Sequence, residues 1–290
     1  MQGKILLIVN PIAGKMRVHN YDIPSLFSGC SLSTYYTTDS GTTETYVAEN
    51  ASGYDTVICA GGDGTLSHVI NGLMRLPSPP ALGYIPCGTT NDFAVSLGIP
   101  RDIPEAAALI QKNHLVPVDV GSFNNRFFSY VASFGAFTES SYKAPQESKN
   151  KLGRMAYLFE AMREFPRIRP CSLSVETDAG TFQNDYVFGA VSNATTLGGL
   201  LHLSPSDVAY DDGLFEVLLI KMPRSVADFQ QIVFALMRQQ YNPDYITYIK
   251  TKSARFTMEH PVPWSLDGEY ASGSSAVDIQ IHPKAIRLHL

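Results

Sequence analysis

Charge is scarce in this 290-residue chain. Only 17% of residues are Asp, Glu, Lys or Arg, and 27 acids outnumber 22 bases for a formal net charge of −5. Nucleic-acid binders ordinarily carry a basic excess, so the balance argues against nucleic acid as a partner. Long apolar runs are missing too: none approaches the ~20 residues of a membrane span. Met1-Gln2-Gly3-Lys4 runs straight into Ile5–Val9, too short a stretch for a signal peptide. The four cysteines, Cys30, Cys59, Cys87 and Cys171, lack metal-ligand or redox spacing and read as reduced thiols of a cytoplasmic protein. The seven histidines show no zinc spacing, which leaves metallohydrolase chemistry without support. Walker A, G-x-G-x-x-G and G-x-S-x-G patterns are all absent. There is no internal repeat or low-complexity segment. An apolar content of 44% is still enough to build packed cores, and the length favours two domains.

The informative stretch that is present is Gly61-Gly62-Asp63-Gly64-Thr65. Before it, Asp55–Ala60 is β-branched and apolar and predicts a buried strand. After it, Leu66, Val69, Ile70, Leu73 and Met74 recur at helical spacing. A glycine turn between strand and helix lets backbone N–H groups approach a bound group closely, and the helix N-terminus favours an anion such as phosphate. Asp63 beside a polyanion needs a cation between them, which suggests a magnesium-bound nucleoside triphosphate. The alternative is a tight turn whose Asp caps the helix.

Strands and helices alternate through the first part. Ile5–Val9, Ser33–Thr37, Thr56–Ala60 and Ala81–Pro86 predict strands, and Glu44–Ala51 and Pro104–Lys112 predict helices. This alternation implies a parallel sheet covered on both faces, with ligands outside the strands' carboxyl ends. From about Val116 the pattern changes. Phe127–Ala132, Ser172–Thr177, Tyr186–Ser192, Leu214–Lys221, Ser253–Met258 and Val277–Ile281 predict a mainly antiparallel β domain, interrupted by helices at Lys151–Phe165 and Ser225–Gln239. Val116–Gly121 is the expected boundary.

Four further groups carry chemistry. Gly88-Thr89-Thr90-Asn91-Asp92-Phe93-Ala94 is a second loop entering a short helix, able to hold phosphate oxygens and, through Asp92, a metal; alone it would read as a capped helix start. Asp119 is either a hinge-turn residue or a metal-site carboxylate. Asp211-Asp212-Gly213-Leu214 and Leu266-Asp267-Gly268-Glu269-Tyr270 both read as hairpin turns. In the second, two carboxylates at i and i+2 can share a strand end, one accepting a proton and one orienting metal or water.

Together these segments resemble the diacylglycerol kinase catalytic-domain family, in particular its soluble bacterial lipid kinases. The resemblance rests on Asn10-Pro11 with Gly14-Lys15, Gly61–Thr65, Pro86–Ala94, Val118–Gly121, Leu152-Gly153-Arg154, Ser204-Pro205 leading to Asp211–Leu214, and Asp267-Gly268-Glu269, in the family's order. It implies an α/β fold of two domains: a Rossmann-like nucleotide-binding α/β domain over 1–121 and a β-sandwich lipid domain over 122–290. The last strand, near Ile286–Leu290, is expected to return to the first domain. It further implies ATP against Asn10, Thr37, Gly61, Gly62, Asp63, Gly64, Thr65 and Thr89, and a catalytic magnesium network of Asp63, Asp92 and Asp119. Asp267 matches the family's base, with Glu269 beside it, and which of the two acts stays open. A second, structural magnesium would be held by Asp212 and the carbonyls of Ala209 and Leu214. His68, Val95 and Phe137-Thr138 depart from the family's usual Glu, Arg and Asp-Ala.

The resulting expectation is a cytoplasmic, ATP- and Mg²⁺-dependent lipid kinase, with diacylglycerol as the default acceptor and chemistry dominated by positioning and charge neutralisation. Its partners would be ATP and a lipid met transiently at a membrane surface; a homodimer is compatible with the sequence. The rivals are an NAD kinase-like phosphotransferase, which shares the Gly-Gly-Asp-Gly loop, and a non-catalytic nucleotide- or lipid-binding regulator. Lys143, Lys149, Lys151, Arg154, Arg163, Arg167 and Arg169, interleaved with Leu152, Met155, Leu158, Phe159, Met162 and Phe165, read as a helix packed on the β domain or a basic amphipathic helix at an anionic interface.

Overall fold

The apolar run Ile5–Val9 makes β1 (Lys4–Val9) the buried centre of a parallel sheet. β2 (Ser31–Tyr36) and β3 (Thr56–Gly61) flank it, and β4 (Ala81–Pro86) lies beyond β3. β3 and β4 are buried at every position, as strands covered on both faces must be. In this computed structural model the described residues are 3–14, 16, 21–135, 169–197, 201–204 and 207–290. The expected helix Lys151–Phe165, together with Lys15, Phe137-Thr138 and Pro205, lies outside them.

The covering helices are α1 (Ser40–Asn50), α2 (Asp63–Leu73), α3 (Asp92–Leu97) and α4 (Ile103–Gln111). Asp39 starts α1 by accepting the Thr42 N–H, and Asp102 starts α4 by accepting that of Glu105. Helix α1 thus begins four residues before the expected Glu44, because Asp39 and the threonines that follow form a polar first turn.

The second half is antiparallel. It comprises β5 (Leu115–Phe123), β6 (Arg126–Phe128), β7 (Val131–Gly135), β8 (Cys171–Thr177), β9 (Gly180–Ser192), β10 (Thr196–Leu197), β11 (Leu201–His202), β12 (Phe215–Lys221), α5 (Val226–Arg238), β13 (Ile246–Thr251), β14 (Ser253–Leu266) and β15 (Glu269–His289). The expected boundary, Val116–Gly121, lies within β5, which is antiparallel to β15. The expected strand Phe127–Ala132 is broken between β6 and β7, because the N–H groups of Ser129, Tyr130 and Val131 turn onto the Asp267 carboxylate. Helix α5 forms where predicted, with the Ser225 hydroxyl accepting the Asp228 N–H.

The long β15 ties the halves together. Its end pairs in parallel with β4 at Leu288 and Leu82, so a single 13-stranded sheet runs through the described residues. Trp264 fills the sandwich, with the Phe123, Phe134 and Phe256 rings at 5.1, 4.7 and 5.1 Å. A second core continues from β1–β4 through Phe93, Tyr130 and Val131 to Leu218 and Ile232 under α5. None of the described helices is long and apolar enough to cross a membrane.

Candidate active site

The carboxyl ends of β1, β3 and β4 and the first turn of α2 meet in a cleft of about 360 Å³. Asn10, Thr37, Gly62, Gly64, Thr65 and Glu269 line it, with Ile12, Thr38, Asp39 and His68. Helix α2 starts from Gly62, which has no side chain to cap the turn, so the helix N-terminus faces the cleft with its positive end. The Asn10 side chain reaches across from β1 and donates to the Thr65 hydroxyl at 2.9 Å. Gly61 is required behind Thr65, since a Cβ there would lie 2.6 Å from the Thr65 Cβ. Thr89 stands opposite Gly14, its hydroxyl 3.5 Å from where a Gly14 Cβ would be.

Asp63 does not cap its own helix. It accepts the N–H groups of Asp92 and Phe93, at 3.1 and 3.4 Å, and so joins α2 to the start of α3. Asn91 supports this start from the left-handed region (φ 51°), accepting from Gly88 N–H and Tyr84 OH and donating to Gly88 O. Burial, then the Asp92 charge, pushes the Asp63 carboxyl up to about 7, against the two N–H bonds that lower it. Two carboxylates repelling beside the glycine turns that border the cleft fit a divalent cation. Among the described residues no three His, Cys, Asp or Glu side chains converge on one point. Phosphate oxygens and water would therefore complete the shell, as is usual for magnesium.

Asp267, in the turn between β14 and β15, adopts φ 50° and is 2% exposed. Its Oδ2 accepts the Ser129 N–H and hydroxyl at 2.7 and 2.9 Å, and its Oδ1 accepts the Tyr130 and Val131 N–H groups at 3.0 and 3.1 Å. Burial raises its pKa in spite of these four donors. The charges of Asp63, Asp267 and Asp92 all bear on the buried Tyr130 phenol.

Glu269 behaves differently. Its Oε2 lies 2.8 Å from the Arg126 guanidinium and its Oε1 3.3 Å from His68 Nε2. Burial would raise its pKa, but His68 and Arg126 together hold it below the ordinary carboxylate range. Glu269 also closes over the glycine turn, where a Gly64 Cβ would sit 2.7 Å from Oε1.

Asp119 joins another group. It is fully buried, with Oδ2 accepting the Gly213 N–H at 2.8 Å and Oδ1 the Lys284 N–H at 2.7 Å. Burial raises its pKa first, with charge from Asp212 and Asp211 adding to it. Its bonds place it with the Asp212 turn, because β5 carries it alongside the β15 bulge rather than to the ends of β3 and β4. Asp212 is exposed and accepts the Leu214 N–H at 3.0 Å, with Ala209 in the chain leading to the turn. Of the family's departures, His68 thus gains a role as a partner of Glu269, and Val95 is exposed.

Sequence reasoning overlooked Arg126 and Ser129 as parts of the site, and read Asn91 only as a member of the second loop or a helix cap. Arg126 sits in an Asn-Asn-Arg turn that looks like any hairpin tip. Only the fold brings β6 against the start of β15.

The model of the diacylglycerol kinase catalytic domain matches residues 4–123, and that of the YegS C-terminal NAD kinase beta sandwich-like domain matches 133–290. A diacylglycerol kinase of Bacillus subtilis (strain 168) is 35% identical over 271 residues, covering 91% of this chain and 89% of its own. One from Staphylococcus aureus (strain JH9) is 32% identical over 278 residues, covering 93% and 87%. A crystal structure from Bacillus anthracis str. Sterne, solved as a candidate diacylglycerol kinase, superposes with a TM-score of 0.82 at 30% identity, covering 99% of this chain and 96% of that one.

Proposed function

This chain belongs to the diacylglycerol kinase catalytic-domain family, and from that premise we propose that it moves the γ-phosphoryl group of ATP onto the hydroxyl of diacylglycerol with magnesium. It is an enzyme, an ATP-dependent lipid kinase. The NAD kinase alternative is not favoured: relatives that match about nine-tenths of this chain are diacylglycerol kinases.

The observation that carries the reading is the junction of Asp63 with Asp92 at the N-terminal turn of α2. The helix N-terminus and the backbone of Gly61–Thr65 would receive the phosphates, and Asn10, Thr37 and Thr89 would position the nucleotide. Asp63 and Asp92 would hold magnesium, which supplies charge neutralisation on the transferring group. Asp119 belongs with Asp212 and the carbonyls of Ala209 and Leu214, as the support of a separate structural cation.

Asp267 is the better base of the two carboxylates. Its raised pKa suits proton uptake, whereas Glu269 is held below the ordinary carboxylate range by His68 and Arg126. Three of the four donors to Asp267 are backbone and fixed. The Ser129 hydroxyl can rotate, so it is the donor that yields Oδ2 to the lipid hydroxyl. Glu269, pinned by Arg126, would orient the phosphate end of the cleft.

The test is incubation with labelled ATP and Mg²⁺ against diacylglycerol, ceramide, sphingosine, undecaprenol and NAD. Phosphatidic acid as the main product is expected. A phosphorylated product from NAD alone would reject the reading.

A further inference from the structure

The described residues bury three asparagines, Asn71, Asn91 and Asn193. Two are structural. Asn71 donates to the Ser67 and Phe127 carbonyls and accepts the Phe127 N–H. Asn91 is bonded at both ends to the Gly88 loop. Asn193 is 4% exposed, yet neither its Oδ1 nor its Nδ2 has a hydrogen-bond partner among the described residues. A buried amide is normally bonded, and one that is not calls for a partner.

Its position says which ligand. Asn193 follows β9, whose Ser192 pairs with Val131, and its backbone N–H donates to Tyr130 O at 3.0 Å. The same turn, Ser129–Val131, delivers its N–H groups to Asp267. Asn193 and Asp267 therefore hold one three-residue turn from two sides. Just beyond Asn193, β10 packs on α3, the helix that opens with Asp92. The unpartnered amide thus belongs to a residue bonded to the turn that holds Asp267 and followed by a strand that packs on the helix of Asp92.

We propose that Asn193 is a specificity-determining contact for the acceptor lipid, donating a hydrogen bond from its side-chain amide to an ester carbonyl next to the hydroxyl that is phosphorylated. This rests on the lipid kinase reading above. Diacylglycerol presents an ester carbonyl beside its free hydroxyl. Alcohols without that carbonyl leave the amide's N–H groups unmet, and a site built to bond a polar group discriminates against an analogue lacking it.

The experiment compares diacylglycerol with the dialkyl glycerol ether of the same chain lengths, which keeps the hydroxyl and lacks both carbonyls. kcat/KM for each is measured in mixed micelles for wild type, Asn193→Ala and Asn193→Ser. Wild type should prefer the ester about tenfold, the worth of one hydrogen bond, and both variants should bring the ratio close to one. KM for ATP should stay within about twofold, since the contact is to the lipid alone. The ratio is internal to each protein, so partial misfolding of a variant does not alter it, and the serine variant serves if alanine does not fold. A wild type without ester preference, or variants that keep it, overturns the assignment of Asn193 while leaving the kinase reading intact. A wild type that phosphorylates neither lipid overturns both.

Discussion

Gly62 and Gly88 meet backbone to backbone across the ends of β3 and β4: a Cβ on Gly88 would lie 2.6 Å from the Gly62 Cα and 2.7 Å from Asn91 Oδ1. The contact locks the glycine turn before α2 to the loop before α3. It thereby fixes the spacing of Asp63 and Asp92. Gly88→Ala should lose about 1–3 kcal/mol, since neither backbone nor Asn91 can move away freely. Its KM for ATP should rise as well. Urea unfolding and ATP kinetics check this, and wild-type values for both would show the two loops to be independent.

Asp63 predicts an unusual pH dependence. Its folded pKa of about 7 lies above the 3.8 of an ordinary aspartate. The unfolded carboxyl therefore ionises first, so stability is fully present below about pH 4 and is lost as pH rises toward 7. The loss is on the order of 2–4 kcal/mol without a cation. In chelator, the melting-temperature difference between Asp63→Asn and wild type should shift in the variant's favour from pH 4 to 7, then level off. Magnesium at pH 7.5 should stabilise wild type more than the variant. A flat difference across this range would mean that Asp63 is not a strained carboxylate.

The two carboxylates of the Asp-Gly-Glu turn should separate kinetically. Asp267→Asn is expected to lower kcat by roughly 10²–10⁴-fold, the usual worth of a general base. Glu269→Gln should act more on KM for ATP. Equal kcat losses would undo the assignment of the base.

Ser129→Ala gives an independent check on the same proton. The Ser129 hydroxyl bond lowers the Asp267 pKa, so its removal should raise it. A base must be ionised to act, and the acidic limb of the kcat profile should therefore move to higher pH. An unmoved limb would place the titrating group elsewhere.

Asp212→Ala addresses the structural cation. Chelator should lower the melting temperature of wild type, and the variant should have lost most of that response. If chelator destabilises both alike, the Asp211–Gly213 turn is only a hairpin, as its exposed side chains and the Asp212–Leu214 bond also allow.

Local patterns in the sequence determined much of this protein. The buried runs Ile5–Val9 and Thr56–Ala60, the helical spacing after Thr65 and the glycine turns all report on neighbours within a few residues, and period and turn chemistry are visible at that range. The motif order was enough to point to the family and to name Asp63, Asp92 and Asp267. Tertiary structure alone decided what those side chains touch. Asp63 caps α3, which begins 29 residues later, and not its own helix. Asp119 goes to the Asp212 turn because β5 lies against the bulge of β15. Asp267 takes its donors from Ser129–Val131, breaking the strand expected there, while Arg126 and His68 converge on Glu269 from β6 and α2. Each is a pairing of strand ends or loops far apart in sequence, set by register and packing, and neither residue of such a pair carries a local sign of the other.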